Sequence, residues 1–180
     1  MSEYQSKAAG SVSSNKPMSS PVPPDSIITY LALDDAKRVT MSGTTGDWIL
    51  FKDFGFTFPA DLYATQIGIY VNGSCPAKLC YFKIWSTKDG VDFLELLTEN
   101  SQFLATAEQT SALESHSNEW TNTYSTSEVN SSSFGVAMVF DTSSFSISLD
   151  QVLVGVTMAS PSNPSITQTM YRFPQTIKDL

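Results

Sequence analysis

The chain has 180 residues, a formal net charge of −8 and only 10 Lys or Arg. That length suits one domain with appendages, large enough for a core without staples. Binding a nucleic-acid backbone or an anionic membrane surface needs clustered positive charge, which is missing here, so neither is an expected partner.

Met1–Lys7 lacks a basic region followed by an apolar one and is not read as a secretory signal, and no apolar run approaches a membrane span. Synthesis in the cytoplasm is the expectation. Residues 1–25 are rich in Ser, Pro, Gly, Lys and Asn. Such a composition buries too little surface to offset chain entropy. We therefore expect an extended N-terminal arm that orders only on other subunits, with Tyr4, Val12, Met18 and Val22 as its apolar anchors. Pro21, Pro23 and Pro24 should keep its base extended.

The folded domain is expected over residues 26–159, starting near Ile27–Leu33. Val39–Met41 and Trp48–Phe51 are short β-prone runs separated by Gly43 and Gly46-Asp47, which fits a hairpin. Phe58-Pro59 ends an extended phrase, because proline cannot donate to a ladder. In Gln66–Val71, Ile67, Ile69 and Val71 share one face, and Asn72-Gly73 signals a turn. Leu79–Trp85 puts Cys80, Phe82 and Ile84 on one face and Tyr81, Lys83 and Trp85 on the other. Asp89-Gly90 marks another turn, with a strand expected over Val91–Leu97. Thr98–Asn122 reads as a polar excursion with a short helix around Ala105–Leu113. Ser125-Thr126-Ser127-Glu128 matches a capping box. Val136–Phe140, Phe145–Leu149 and Val152–Met158 then alternate as strands, and residues 160–180 form an extended C-terminal tail with Ile166, Met170, Tyr171 and Phe173 as anchors. Strands at this spacing, without βαβ alternation, predict an all-β antiparallel sandwich, jelly-roll-like.

Chemistry is sparse. His116 is the single histidine, read as an exposed loop residue, and no serine elbow, phosphate loop or zinc-protease helix is present. Asp34-Asp35, Glu95 and Glu99 read as solvated charges. Asp150 could cap a turn or ligate calcium, but calcium wants six or more oxygens. No catalytic residue, metal or cofactor is predicted. Cys75 and Cys80 either close a small disulfide loop or stay reduced, and the compartment argument favours reduced thiols. Trp48, Trp85 and Trp120 serve either packing or stacking on sugar rings, and packing is the commoner use.

Two phrases carry a resemblance. Phe54-Gly55-Phe56-Thr57-Phe58-Pro59 leads into Ile67-Gly68-Ile69-Tyr70-Val71; later, Trp120 precedes Val129-Asn130, a Ser-rich link and Phe134-Gly135-Val136, and the pattern closes with Asp150 and alternating valines. It resembles a family of jelly-roll or β-sandwich structural domains in tailed-bacteriophage virions, over Asp34–Met158. The resemblance implies a non-enzymatic virion protein, most simply a capsid decoration or cement protein attached through its arm. Its implied partners are the major capsid protein or tail proteins and further copies of itself. A tail, neck or fibre component and a carbohydrate-binding module are the alternatives.

Overall fold

The computed structural model describes residues 2–19, 27–32, 38–97 and 102–160. In chain order its strands are β1 (Ser2–Ala8), β2 (Ser11–Ser14), β3 (Met18–Ser19), β4 (Val39–Gly43), β5 (Trp48–Lys52), β6 (Tyr63–Ser74), β7 (Cys80–Thr87), β8 (Glu95–Leu96), β9 (Gln102–Leu104), β10 (Gln109–His116), β11 (Gly135–Phe140) and β12 (Phe145–Ala159). Helix α1 (Ile27–Ala32) and the single-turn α2 (Thr126–Val129) are the α-helices among the described residues. None is long and apolar enough to cross a membrane.

The strands form two antiparallel sheets of a jelly-roll-like sandwich. Sheet A runs β10-β6-β12-β4-β3, with β1 also on β12; sheet B runs β2-β5-β11-β7-β8, with β9 also on β7. Alternation decides which side chains meet between them. Ile67, Ile69 and Val71 of β6 and Val154, Val156 and Met158 of β12 face Ile49 and Phe51 of β5, Val136 and Met138 of β11, and Phe82 and Ile84 of β7 in one buried cluster.

One end of the sandwich is closed by the phrases that carry the resemblance. Phe54, Phe56 and Phe58 form a row with ring centroids 5.4 and 5.7 Å apart. Phe134 packs edge-on to Phe54 and Phe56 at 6.2 and 6.3 Å. Asn130 holds the row in place: the Phe58 N–H donates to Asn130 Oδ1 at 3.0 Å, and Asn130 Nδ2 donates to the Phe58 carbonyl at 2.9 Å. Asn130 is itself fixed as the C-cap of α2. The expected capping box starts that turn, with the Ser125 N–H donating to Glu128 Oε2 at 2.7 Å and the Glu128 N–H returning to Ser125 Oγ at 3.4 Å.

The N-terminal segment differs from expectation. Its described part is built into this chain's own sandwich. β1 pairs with Leu153–Ala159 over seven residues, β2 with β5 and β3 with β4. The error lay in equating few apolar groups with no fold: strand pairing satisfies the backbone whatever the side chains are. Asn15 then docks the strap on the β4–β5 turn. Its Nδ2 donates to Asp47 Oδ1 and its Oδ1 accepts from the Trp48 N–H, both at 2.9 Å. Val22, the three prolines and the tail over 161–180 lie outside the described residues.

Other boundaries moved for identifiable reasons. Ile27–Ala32, near the expected start of the folded domain, is helical. The helix expected around Ala105–Leu113 is instead β10, which pairs along β6 from Gln109 to His116 and buries Leu113 and Ser115. Val91–Leu97 is mostly loop, with only the two-residue β8. Asn72-Gly73 is not a turn but lies inside β6, where a Cβ on Gly73 would come within 2.6 Å of the Ser148 carbonyl. That crowding comes from a bulge: the two strands expected either side of Asp150 are one 15-residue strand, β12, whose register against β6 shifts between Leu149 and Gln151. The β6–β7 turn falls at Cys75–Cys80, which are joined as a disulfide with Cα atoms 5.9 Å apart, against the expectation of reduced thiols. The turns at Gly46 and Gly90 are where the sequence put them, with φ of 88° and 75°.

Candidate binding faces

Each sheet has an outer face, and the tryptophans divide between the core and one of these faces. Trp120 belongs to the core side: it packs edge-on to Tyr124 at 5.6 Å and its indole N–H donates to Ser115 Oγ at 2.7 Å. Trp48 and Trp85 do not. Trp48 is in register with Val139, and Val139 with Lys83; Leu50 is in register with Ala137, Ala137 with Trp85, and Trp85 with Leu96. These residues alternate with core residues, so they stand on the outer face of sheet B. The two tryptophans flank β11, two strand spacings and two residues apart, or about 12 Å between Cα atoms.

That face is a small apolar layer of its own. Leu50 and Ala137 are 2% and 0% exposed although they point outward. The segment after β7 folds back over them. Phe93 meets Trp48 edge-on at 5.6 Å, and Gly90 lies against the Lys52 side chain. Asp89 shapes this return by accepting from the N–H groups of Val91 and Asp92 and from Thr87 Oγ1, all at 2.9 Å. Those donors hold its carboxyl below the usual aspartate value, the two backbone N–H groups first. Trp48, Trp85 and Phe93 are left half-buried, with Lys83 beside Trp85 on β7 in the row of Trp48, and with Tyr81, Val91 and Leu94 exposed.

Sheet A carries Tyr4 on its outer face. Its ring lies over Gly155, where a Cβ would meet Oη at 2.6 Å and Cε2 at 3.0 Å. Burial pushes its phenol above the ordinary value, a hydrogen bond with Ser6 opposes this, and the nearby Glu114 adds to it. His116, expected in an exposed loop, ends β10 and is half-buried. Val12 and Met18 are partly buried and pack against the core. Tyr4 is the most exposed of the described anchors, at 38%. Asp150 is buried at the β12 bulge, and no group of three metal-ligating side chains is found among the described residues. Sequence reasoning named Tyr4, Trp48 and Trp85 but missed Phe93 and Glu114, whose loop and strand it had misassigned.

No family model and no curated protein matches the sequence. Among solved structures the chain is similar to a family 4 carbohydrate-binding module, at 9% identity over 85% of this chain and 94% of that one, with a TM-score of 0.41. It is similar to the CBM22-1 xylan-binding domain from Paenibacillus barcinonensis, at 10% identity over 85% of each chain and a TM-score of 0.44. A family 29 carbohydrate-binding module from Piromyces equi is similar at 7% identity, over 90% of this chain and 94% of that one, with a TM-score of 0.43. These likenesses are distant and carry nothing about a ligand.

Proposed function

We propose that this chain is a non-enzymatic binding module that takes glycans on the outer face of sheet B. The observation that supports it is the pair of half-buried tryptophans, Trp48 and Trp85, standing outside the core on a rigid sheet. An indole held by strand pairing and by Phe93 offers an apolar disc to the C–H face of a sugar ring, and little conformational freedom is left to lose on binding. Lys83, two residues from Trp85 on the same face of β7, supplies a donor for ring oxygens and hydroxyls. Affinity electrophoresis of the whole chain in gels containing soluble polysaccharides tests this. Retardation should weaken about tenfold in apparent affinity in Trp48→Ala and Trp85→Ala. Equal mobility of both variants and the parent in every gel that retards the parent would remove this face from consideration.

A second reading is a structural protein of a tailed-phage virion, as capsid decoration or in the tail. It rests on the sequence resemblance alone, whose phrases pack here as the phenylalanine row clamped by Asn130. Immunogold labelling of purified particles decides it, since a virion component decorates the head or tail in fixed positions.

A further inference from the structure

The outer face of sheet A holds a second arrangement, unrelated to the tryptophans. In the register of β1, β12, β6 and β10, Ser6, Gly155, Gly68 and Glu114 form one row. Tyr4, Thr157, Gln66 and His116 form the next. The core-facing neighbours of these residues, such as Ile67, Leu113 and Val156, are buried, so both rows point outward. Gly155 and Gly68 sit side by side in adjacent strands and put no side chain into the middle of the face. The Tyr4 ring reaches across from the edge strand into that gap, its Oη, Cε2 and Cζ at 2.6, 3.0 and 3.2 Å from where a Gly155 Cβ would stand. A bulkier residue at 155 would lift the ring off the sheet.

We propose that this face is a saccharide site for an uncharged hexopyranose residue, stacked on the Tyr4 ring with its hydroxyls bonded to Glu114 and Gln66. The ring is an apolar disc backed by peptide, in a strand pinned to β12 along its length. Around it stand groups of complementary kind. Glu114 is an acceptor when ionised. Gln66 Oε1 accepts from Thr157 Oγ1 at 3.2 Å, which orients its NH2 group for donation. An apolar disc bordered by an acceptor and a donor matches a pyranose, whose faces are C–H and whose edge hydroxyls both donate and accept. Glu114 carries the charge of these two rows, and the chain is at −8, so uronate-rich polymers are repelled. This extends the glycan-binding reading to the opposite face. The two faces share no residue and can fail separately.

The test uses the full chain carrying Trp48→Ala and Trp85→Ala, which silences the face of sheet B. In affinity gels containing glucomannan, mixed-linkage β-glucan or galactomannan, this protein should still be retarded by at least one polymer, and should migrate freely in polygalacturonate. Adding Tyr4→Ala should lower that residual affinity about tenfold. Adding Glu114→Gln should lower it severalfold, while Tyr4→Trp keeps it. Thermal unfolding of each variant separates a lost contact from a lost strand. Should Tyr4→Ala loosen β1, Glu114→Gln and Tyr4→Trp decide alone. Residual retardation that ignores both Tyr4→Ala and Glu114→Gln overturns the proposal, as does the absence of retardation by all three neutral polymers.

Discussion

Asn130 makes both main-chain hydrogen bonds of one residue, the N–H and the carbonyl of Phe58, across 72 positions of sequence. Alanine there leaves a partly buried donor and acceptor unmet, so Asn130→Ala should cost about 2 kcal/mol in a denaturant titration. Asn130→Asp keeps the acceptor and loses the donor, and should fall between. If alanine and aspartate cost the same, the bond from the Phe58 N–H contributes nothing. The two phrases stood out in the sequence as patterns of turn and aromatic residues. Their connection did not, because nothing local tells an asparagine which distant amide it will meet. Tyr4 was visible as an apolar residue in a polar segment, but its place over Gly155 depends on a pairing that only the finished sheet supplies.

The strap formed by β1 to β3 is clipped at its middle by Asp47, whose carboxylate accepts from the Thr44 N–H at 2.7 Å and from Asn15 at 2.9 Å, with Lys16 at 3.7 Å. The Thr44 N–H above all, then Asn15 and Lys16, hold this carboxyl below the ordinary aspartate value. A depressed folded value means the clip contributes fully above the unfolded aspartate pKa of about 4 and is lost as pH falls through the lower folded one. Protection factors of the β2 amides should therefore fall on acidification, and Asp47→Asn should abolish that fall; parallel acid limbs would assign it elsewhere. The Cys75–Cys80 bridge closes a ring with a sequence separation of 5. Reduction should lower stability by about 2 kcal/mol, the entropy of so small a loop. An unchanged unfolding midpoint with reductant would mean that the bridge does not form. Strands with clean alternation, β7, β11 and most of β12, were legible from the sequence. β10 was not: Leu113 is its one large buried side chain, and its strand character comes from pairing with β6. The bulge at Asp150 was unreadable for a related reason, since a buried acidic residue between two alternating runs imitates a turn.

For the whole molecule, the two aromatic faces lie on opposite sides of the sandwich. If both bind, one chain can bridge two polymer strands, and mixing it with a soluble glycan should raise viscosity in a way that Tyr4→Ala and Trp48→Ala each remove. Removing residues 1–19 should do more than delete an attachment point: it uncovers the β12 and β5 edges, so the truncated chain should unfold at lower denaturant and self-associate. A truncated chain as stable and monomeric as the parent would show that the strap contributes little to the sandwich. The same pairing has a temporal side. Ser2 is matched with Ala159, and Ala8 with Leu153. During synthesis β1 has no partner until β12, the last described strand, has emerged from the ribosome. β6 likewise waits for β12 on its inner side. Contacts this distant in sequence make folding slow, and they leave the backbone of β1 without its sheet partner until β12 is made. The nascent chain, more than the finished protein, is thus the form that needs protection from aggregation.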